Sequence, residues 1–389
     1  MKGFPLSGIR VLDASQGVAG PHAGMLLAQG GAEVVKLEPL EGDWGRTLGK
    51  RYGEFCAQAI SFNRGKKSIA LDLKSEGGRA VATRLAAEAD IFIESFRPGV
   101  AARLGLGYDE ISARRPDVIY LSLTGFGQGG QYKSLPVTDT VIQAFSGWMT
   151  LHRDGDGTPM RSDLTAIDVM TGLYAYQAIA GAFIERLRNG NGAYIDCSMV
   201  QSAAAFQSAK ILESYMEEGR PQVSYVPVGV MATSDGYIAI SAMRDAHYAS
   251  LCEELEEPEL ATDPRFATRD ARRENKAVLM PLLAAGFRKK PTAHWAVRLT
   301  ASGVMNSPVN TYLDFMSDPH VRETGVLSYV DSCEMGVAPA ANIPGFVPLA
   351  EDDPRRRCPA VGEDADEILE RIGVGADQRR SLREAGALR

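Results

Sequence analysis

The sequence predicts an α/β protein with a doubly wound parallel sheet, followed by a second, smaller α+β domain. Strand-like and helix-like segments alternate from residue 8 to residue 127, the pattern of a parallel sheet with helices between its strands. After Pro221 this alternation gives way to a different mix of segments. The chain has 389 residues, more than a single hydrophobic core usually serves, so two domains are expected.

The first strand–helix–strand unit covers residues 8–38. GIRVLDA (8–14) is an apolar run with β-branched residues and predicts a strand. A helix then begins near Gly20 and Pro21, since proline suits the first helical position, and it continues to about Gln29. AEVVKLE (32–38) is the next strand. Such a unit is expected to be parallel and right-handed.

Two further helix–strand pairs extend the predicted sheet. A helix over 76–89 precedes a strand at 90–96, and a helix near 109–114 precedes a strand at 117–127. In sheets of this kind ligands bind beyond the carboxyl ends of the strands. We therefore expect a ligand near the loops that follow the strands, at the positions Asp13, Glu38, Glu94 and Thr124.

The remaining segments suggest where the domains divide. An Ala-rich apolar helix is predicted over 164–187, a strand over 193–199 and another helix over 200–218. Later segments are a strand at 235–242, helices near 246–256 and 275–288, and an acidic helix within GEDADEILERIG. We assign 1–200 to the large domain, 201–225 to a linker, 226–325 to the small α+β domain and 326–389 to a linker and C-terminal part.

Composition excludes several classes of function. A net charge of −7 argues against general nucleic-acid binding. The five cysteines are widely separated and the five histidines are dispersed, so neither a disulfide framework nor a metal site is expected. No apolar run approaches the ~18 residues of a membrane span and no signal peptide is recognisable, so we expect a cytoplasmic protein without a membrane partner. Gly17, Gly20 and Gly24 depart from the G-x-G-x-x-G spacing, which disfavours a nicotinamide cofactor.

Asp168 is the strongest catalytic candidate from spacing alone. It lies near the start of the predicted helix over 164–187, and Gly172, Ala175 and Ala182 fall on the same helical face. A carboxylate above a strip of small residues is suited to act as nucleophile or base on a ligand pressed against the helix. The alternative is an acid favoured by the helix dipole, with the small residues serving helix packing.

Basic residues concentrate in two stretches of this acidic chain. Because several adjoin predicted strands, they are candidates to converge on a polyphosphate group. The alternative is a solvated surface that carries charges of both signs. The residues are Arg64, Lys66, Lys67, Lys74, Arg97 and Arg103.

Taken in order, nine segments resemble the class III CoA-transferases, a family that also includes carnitine and bile-acid CoA-transferases and the α-methylacyl-CoA racemases. The resemblance covers nearly the whole chain. Its segments are GIRVLDASQGVAGPHAGMLLAQGGAEVVKLEPLEGD (8–43), FNRGKKSIALDLKSEGGR (62–79), ESFRPGVAARLGLGYDEI (94–111), LSLTGFGQGG (121–130), D-x-x-x-G (168–172), RLRNGNGAYIDCSM (186–199), PVGVMATSDGYIAI (227–240), SPVNTYLDFMSDPHV (307–321) and PAVGEDADEIL (359–369).

The resemblance implies a Rossmann-like large domain built from both ends of the chain, and an interlocked homodimer. It implies an acyl-CoA donor and a carboxylate acceptor as substrates, with coenzyme A bound as substrate and no metal. Asp168 would be the nucleophile that carries CoA as a thioester, with an unraised pKa favoured by its helix N-terminus. Gly125 and Gly127, within GFGQGG (125–130), would offer backbone N–H groups to an oxyanion. The remaining residues implied to lie near CoA are Gln16, Val18, Arg64, Leu71, Lys74, Phe96, Arg97 and Arg103.

Two other functions remain open at this stage. The racemases of the family place a histidine immediately before the aspartate that follows the GFGQ loop, whereas here Thr138 precedes Asp139. Because racemisation needs two opposed acid/base groups, transfer is favoured over it. The second alternative is a catalytically idle CoA-binding protein, which the presence of Asp168 disfavours.

Overall fold

The computed structural model describes residues 3–219, 223–331 and 336–389 of the chain. These form two compact units, the first made of Met1–Ala209 with Gly325–Arg389 and the second of Lys210–Thr324. The segment 201–225 was predicted to be a linker. Most of that segment is helical, and residues 220–222 within it lie outside the described part.

The first unit contains a six-stranded parallel sheet in the order β5-β2-β1-β6-β7-β8. A parallel sheet with helices was predicted, and this is confirmed. Short 3₁₀ segments lie at Trp44–Thr47 and Trp148–Leu151. The strands up to the second unit are β1 (Arg10–Asp13), β2 (Glu33–Glu38), β3 (Arg51–Tyr52), β4 (Phe55–Cys56), β5 (Lys67–Ala70), β6 (Ile91–Glu94), β7 (Ile119–Thr124) and β8 (Ala193–Ser198).

Helices cover both faces of this sheet, and on each face a hydrophobic cluster joins the helices to the strands. One cluster joins the sheet to α3 and α5, and the other joins it to α1, α6, α7 and α8. The helices are α1 (Ala19–Gln29), α2 (Ala57–Asn63), α3 (Glu76–Glu88), α4 (Val100–Arg103), α5 (Tyr108–Ser112), α6 (Asp139–Phe145), α7 (Ala166–Asn189), α8 (Met199–Phe206) and α9 (Ser208–Met216), the last crossing into the second unit.

Three sequence-based expectations need correction. Strand β5 was not predicted, although it forms the edge of the sheet beside β2. The single helix expected over 200–218 is two helices, which Gln207 separates. Helix α7 is long and apolar enough, by length and composition, to cross a membrane, although no such run was expected. One face of α7 packs in the core of the first unit, where Ile167, Met170 and Ile179 are buried.

The second unit has its own hydrophobic core and a three-stranded antiparallel sheet in the order β11-β10-β9. Buried Tyr248, Phe266 and Phe287 belong to this core. Its elements are β9 (Val228–Ala232), β10 (Tyr237–Ser241), α10 (Asp245–Glu254), α11 (Glu259–Thr262), α12 (Arg269–Glu274), α13 (Lys276–Phe287), α14 (Thr292–Ala301), β11 (Met305–Pro308), α15 (Tyr312–Ser317) and α16 (Pro319–Glu323).

The chain then returns to the first unit and packs on the edge strand β5. Ser68 and Asp364 exchange hydrogen bonds, with Ser68 N donating to Asp364 Oδ2 at 2.8 Å and Asp364 N donating to Ser68 O at 3.0 Å. Leu71 forms an antiparallel bridge with Leu388. A 3₁₀ segment lies at Pro354–Arg356. The other elements of this return are β12 (Leu327–Asp331), β13 (Val337–Ala341), α17 (Ala365–Arg371) and α18 (Ala376–Glu384).

Candidate active site

A cavity of about 630 Å³ opens in the first unit, beyond the carboxyl ends of β1, β6 and β7. This is the edge of the sheet at which the sequence predicted a ligand. Of the predicted site residues, the structure brings together around this cavity Gln16, Val18, Phe96, Arg97, Gly125 and Asp168.

Asp168 lies in the first turn of α7, half-buried, at the wall of this cavity. The N-cap residue Thr165 makes no side-chain capping bond. Asp139 caps the helix instead, because its Oδ2 accepts hydrogen bonds from Ile167 N at 2.8 Å and Asp168 N at 3.1 Å. Within the described ranges no group donates a hydrogen bond to the Asp168 carboxylate. The carboxylate is therefore free to meet a ligand.

Burial and, to a lesser extent, the neighbouring negative charge of Asp139 together raise the pKa of Asp168 to about 7. The expectation of an unraised pKa was wrong. A helix N-terminus stabilises an anion through its unpaired N–H groups. Here the buried carboxylate of Asp139 already accepts two of them, so the helix end offers Asp168 a negative neighbour in place of free donors. Asp168 is consequently a less stabilised and more basic carboxylate than an exposed one.

The strip of small residues on α7 serves helix packing and not a ligand. A Cβ at Gly172 would lie 2.7 Å from His22 Nδ1 and 2.8 Å from Ala19 O, both on α1. Ala175 is fully buried in the same contact. Burial lowers the pKa of His22 to about 4, so the ring is neutral, and its Nδ1 lies 3.0 Å from Val169 O. Of the two alternatives for this strip, the packing one is correct.

The loop after β1, which carries Gln16 and Val18, is hydrogen-bonded to a buried ion pair. Gly17 N donates to Asp43 Oδ1 at 2.8 Å, and Lys36 Nζ donates to Asp43 Oδ2 at 2.7 Å. Lys36 is completely buried. Gly17 has φ +85°, and a Cβ there would lie 2.3 Å from the Trp44 ring. The loop therefore requires glycine at this position to bring Gln16 to the cavity.

Only Arg97 among the predicted basic residues lines the cavity. Lys66 is buried in an ion pair with Asp13 at 2.8 Å, and Lys67 pairs with Glu367. Arg64 is also buried and donates to Ala341 O. The expected convergence of these side chains on one polyphosphate is therefore wrong for Lys66, whose charge is paired inside the protein, and Lys67 does not line the cavity.

The other CoA contacts implied by the resemblance are not among the residues that line the cavity. The Leu71 side chain is buried against Leu388 and the core, whereas Lys74 and Arg103 are exposed on the surface. Like Arg64 and Gly127, these three do not line the cavity that holds Asp168. Their contacts with CoA stay a prediction.

The glycine-rich loop after β7 uses its backbone donors to hold its own shape. Gly127 N donates to Thr124 Oγ1 at 2.9 Å, and Gln128 N donates to Asp196 Oδ2 at 3.1 Å. Gly125 lines the cavity, but Gly127 does not. In this conformation the N–H groups of Gly127 and Gln128 are therefore already committed, contrary to the expectation that Gly127 offers its N–H to an oxyanion.

Comparison with known proteins decides the family. The sequence model of CoA-transferase family III matches residues 6–365. The chain belongs to CoA-transferase family III. Succinyl-CoA:glutarate CoA-transferase of Mus musculus is 35% identical over 341 residues, which is 85% of this chain and 78% of that protein. Succinate–glutarate CoA-transferase of Agrobacterium fabrum is 32% identical over 380 residues, covering 94% of this chain and 95% of that one.

A solved structure agrees with this assignment. The crystal structure of a CaiB/BaiF family protein from Brucella suis superposes with a TM-score of 0.84 and 32% identity, covering 95% of this chain and 100% of that chain. The protein is an enzyme, a CoA-transferase that acts on an acyl-CoA.

Several residues at the site of this CoA-transferase escaped the sequence analysis. Asp139 was noted only as the residue after Thr138, and its capping of α7 needs a contact across 28 positions of sequence. Gln143, one turn further along α6, donates to Asp139 Oδ1. Lys133 and Arg161 also line the cavity. A search for polar pairs one helical turn apart, such as Asp139 and Gln143, would have found the first two.

Proposed function

We propose that this CoA-transferase moves CoA from an acyl-CoA to a dicarboxylic acid through an aspartyl-CoA thioester on Asp168. The observation that carries the proposal is the Asp168 carboxylate, which has a raised pKa and no hydrogen-bond donor among the described residues, at the wall of a cavity of about 630 Å³. A carboxylate left without donors is less stabilised as an anion, and so more reactive as a nucleophile.

The reaction proceeds by successive exchange at three carbonyl carbons, those of the donor, of Asp168 and of the acceptor. The ionised Asp168 carboxylate attacks the thioester carbon of the donor, and the C–S bond breaks to give a mixed anhydride and CoA thiolate. The thiolate attacks the Asp168 carbonyl carbon, releasing the donor acid as its carboxylate and leaving the aspartyl-CoA thioester. The acceptor carboxylate then attacks that thioester, and the released thiolate attacks the acceptor carbonyl of the new anhydride. Asp168 regains its carboxylate, and no proton is consumed.

The acceptor class is suggested by the relatives and by the charge of the cavity. The relatives named above act on succinate and glutarate, which are dicarboxylic acids. Three cationic side chains, Arg97, Lys133 and Arg161, line the cavity. Arg97 is the one that the family resemblance places near CoA, and the positive charge of the cavity suits the second carboxylate of an acid.

The contacts of Asp139 disfavour the racemase alternative. Its Oδ1 accepts from Gln143, and its Oδ2 accepts from Ile167 and Asp168. With Thr138 at the preceding position, Asp139 is the second carboxylate that lines the cavity, and both of its oxygens are already engaged, which leaves no free base to oppose Asp168 among the lining side chains. Exchange of the α-proton of an acyl-CoA in deuterated water, without CoA transfer, would favour racemisation.

The transferase is further proposed to act as a homodimer. Large apolar side chains on one face of α7 are exposed in the single chain, among them Leu173, Ile184 and Leu187. Exposed apolar surface of this kind marks contact sites between chains. Light scattering after size-exclusion chromatography is expected to give twice the mass of one chain, and the mass of one chain would contradict the proposal.

Covalent trapping tests the central step. The enzyme is mixed with succinyl-CoA and then with hydroxylamine, which converts an aspartyl thioester or anhydride to a hydroxamate that peptide mass spectrometry can locate. The hydroxamate is expected at Asp168 in the wild type and in the control Asp156→Asn, which alters an exposed loop carboxylate. It is expected to be absent from Asp168→Asn. A wild-type enzyme that transfers CoA with no modification at Asp168 would refute the mechanism.

A further inference from the structure

We propose that Arg161 binds the distal carboxylate of the dicarboxylic acid, both in the donor acyl group and in the acceptor, and thereby selects dicarboxylic over monocarboxylic acids. The inference rests on the proposed function, since it places the second carboxylate of the acid that reacts at Asp168. Arg161 and Asp168 line the same cavity.

The ion-pair partner of the Arg161 guanidinium can readily be replaced by a substrate carboxylate. It forms an ion pair with Asp163 at 2.5 Å, and the Asp163 side chain is 96% exposed. An ion pair with so solvated a partner contributes little to stability. A substrate carboxylate in the cavity therefore competes with Asp163 at small cost, and its pairing with arginine can be bidentate.

The backbone beside Arg161 and the backbone of Asp168 are held by the same helix, α6. Gln143, fully buried, accepts from Ser162 N at 3.0 Å and donates to Ser162 O and Leu164 O at 3.3 Å. Asp139, one turn earlier on α6, accepts from Asp168 N. Since the two N–H groups of the Gln143 amide are shared between these carbonyls and Asp139 Oδ1, the loop after Arg161 and the start of α7 are tied together. The backbone that carries the cation and the backbone of the reacting carboxylate are consequently held by the same helix.

One cation serves both acids because of the reaction that is proposed. The donor acid leaves from the mixed anhydride at Asp168, and the acceptor acid enters at the same carbonyl. Both acids therefore place their reacting carboxylate beside Asp168, and the distal carboxylate of each extends from that point by the length of its own chain. Arg161 thus favours donors and acceptors of similar length.

Lys133 is the matched control for charge. It lines the same cavity, and its side chain is exposed and makes no ion pair within the described residues. It follows the glycine-rich loop, and Gln143 does not bond to its backbone. An ammonium group is also a poorer match to a planar carboxylate than a guanidinium group. We therefore compare Arg161→Gln and Arg161→Lys with Lys133→Gln.

Substrate discrimination provides the test. With succinyl-CoA as donor, kcat/KM is measured for glutarate and for pentanoate, which lacks the second carboxylate. Arg161→Gln is expected to lower kcat/KM for glutarate by about 10- to 100-fold, as for a lost hydrogen bond to a charged group, and to leave that for pentanoate unchanged. Arg161→Lys should recover part of the loss, and Lys133→Gln should leave the glutarate-to-pentanoate ratio unchanged.

Three results would overturn the inference. The first is a loss of kcat/KM in Arg161→Gln that is equal for glutarate and pentanoate. The second is a fall in the glutarate-to-pentanoate ratio in Lys133→Gln and not in Arg161→Gln. The third is a wild-type enzyme that uses pentanoate as readily as glutarate. Trapping at Asp168 with saturating succinyl-CoA separates this failure from failure of the mechanism. If a hydroxamate forms at Asp168 and the Arg161 variants discriminate as the wild type does, the role of Arg161 is refuted and the mechanism stands. Transfer without a hydroxamate refutes the aspartyl intermediate.

Discussion

At the scale of single residues, the reactivity of Asp168 depends on a neighbour that sequence spacing does not reveal. Spacing identified Asp168, because an acid in the first turn of an apolar helix stands out. Its ionisation could not be anticipated, since both its burial and the approach of Asp139 to the helix end arise only when the chain has folded. Arg161 was missed for the same reason, because nothing local distinguishes an arginine at a cavity from one in solvent.

The activity of the wild-type enzyme is expected to rise with pH through about 7, because the pKa of Asp168 lies there and only its anion is nucleophilic. Asp139→Asn removes the negative neighbour while keeping an oxygen that can cap α7. It should lower the pKa of Asp168 and move the midpoint of the kcat/KM profile for the acyl-CoA to lower pH. Asp156→Asn is the control. A midpoint that stays or rises in Asp139→Asn would contradict this account of the electrostatics.

At the scale of elements, segments with a clear apolar pattern were predicted correctly, whereas segments that mix apolar and charged residues were not. The strands β1, β2, β6 and β7 were predicted from apolar runs between helices, and their parallel pairing followed from the alternation. Strand β5 was missed because its four residues begin with Lys67, whose charge pairs with Glu367. The close crossing of α1 and α7 also depends on a tertiary contact, so spacing could not choose between ligand and packing for Gly172.

Gly172→Ala is expected to destabilise the protein by about 1–3 kcal/mol, as overpacking does, because the new methyl group would collide with Ala19 O and the His22 ring. Gly181→Ala, on the same helix, is the matched control. Among the described residues, no atom beyond the adjoining helix backbone lies within 4 Å of its added Cβ, so it should stabilise the helix by up to about 1 kcal/mol. Urea unfolding of both variants measures the difference. Equal effects would contradict the close contact between α1 and α7.

At the scale of the whole molecule, the first unit is assembled from segments on both sides of the second in the chain. Residues after Gly325 supply buried side chains such as Leu369 and Leu388 to a core that also contains Leu71. The strand alternation gave no indication of this return, which followed only from the family resemblance. An acidic helix with a few apolar residues carries no information about which sheet it covers.

Deletion of residues 387–389 should lower the free energy of unfolding by about 2–5 kcal/mol, the range for loss of a large core side chain, since Leu388 is 4% exposed. The deletion also removes hydrogen bonds from Asp72 N to Ala387 O and from Arg389 N to Ala70 O. Arg380→Ala, which breaks an exposed ion pair with Asp377, should change stability by less than about 0.5 kcal/mol. Urea denaturation compares the two, and similar midpoints would show that this segment does not support the sheet.

The C-terminal residues that pack on the edge of β5 are synthesised late, and this matters while the chain is being made. The strand at Lys67–Ala70 leaves the ribosome long before Asp364, Leu388 and Arg389, which satisfy its outer edge. At about 5–20 residues per second, this edge waits roughly 15–60 s for its cover. An unpaired strand edge is a template for pairing with another chain. Nascent chains of this enzyme on neighbouring ribosomes are therefore at risk of joining through β5, and slower translation of residues 71–363 would lengthen that interval.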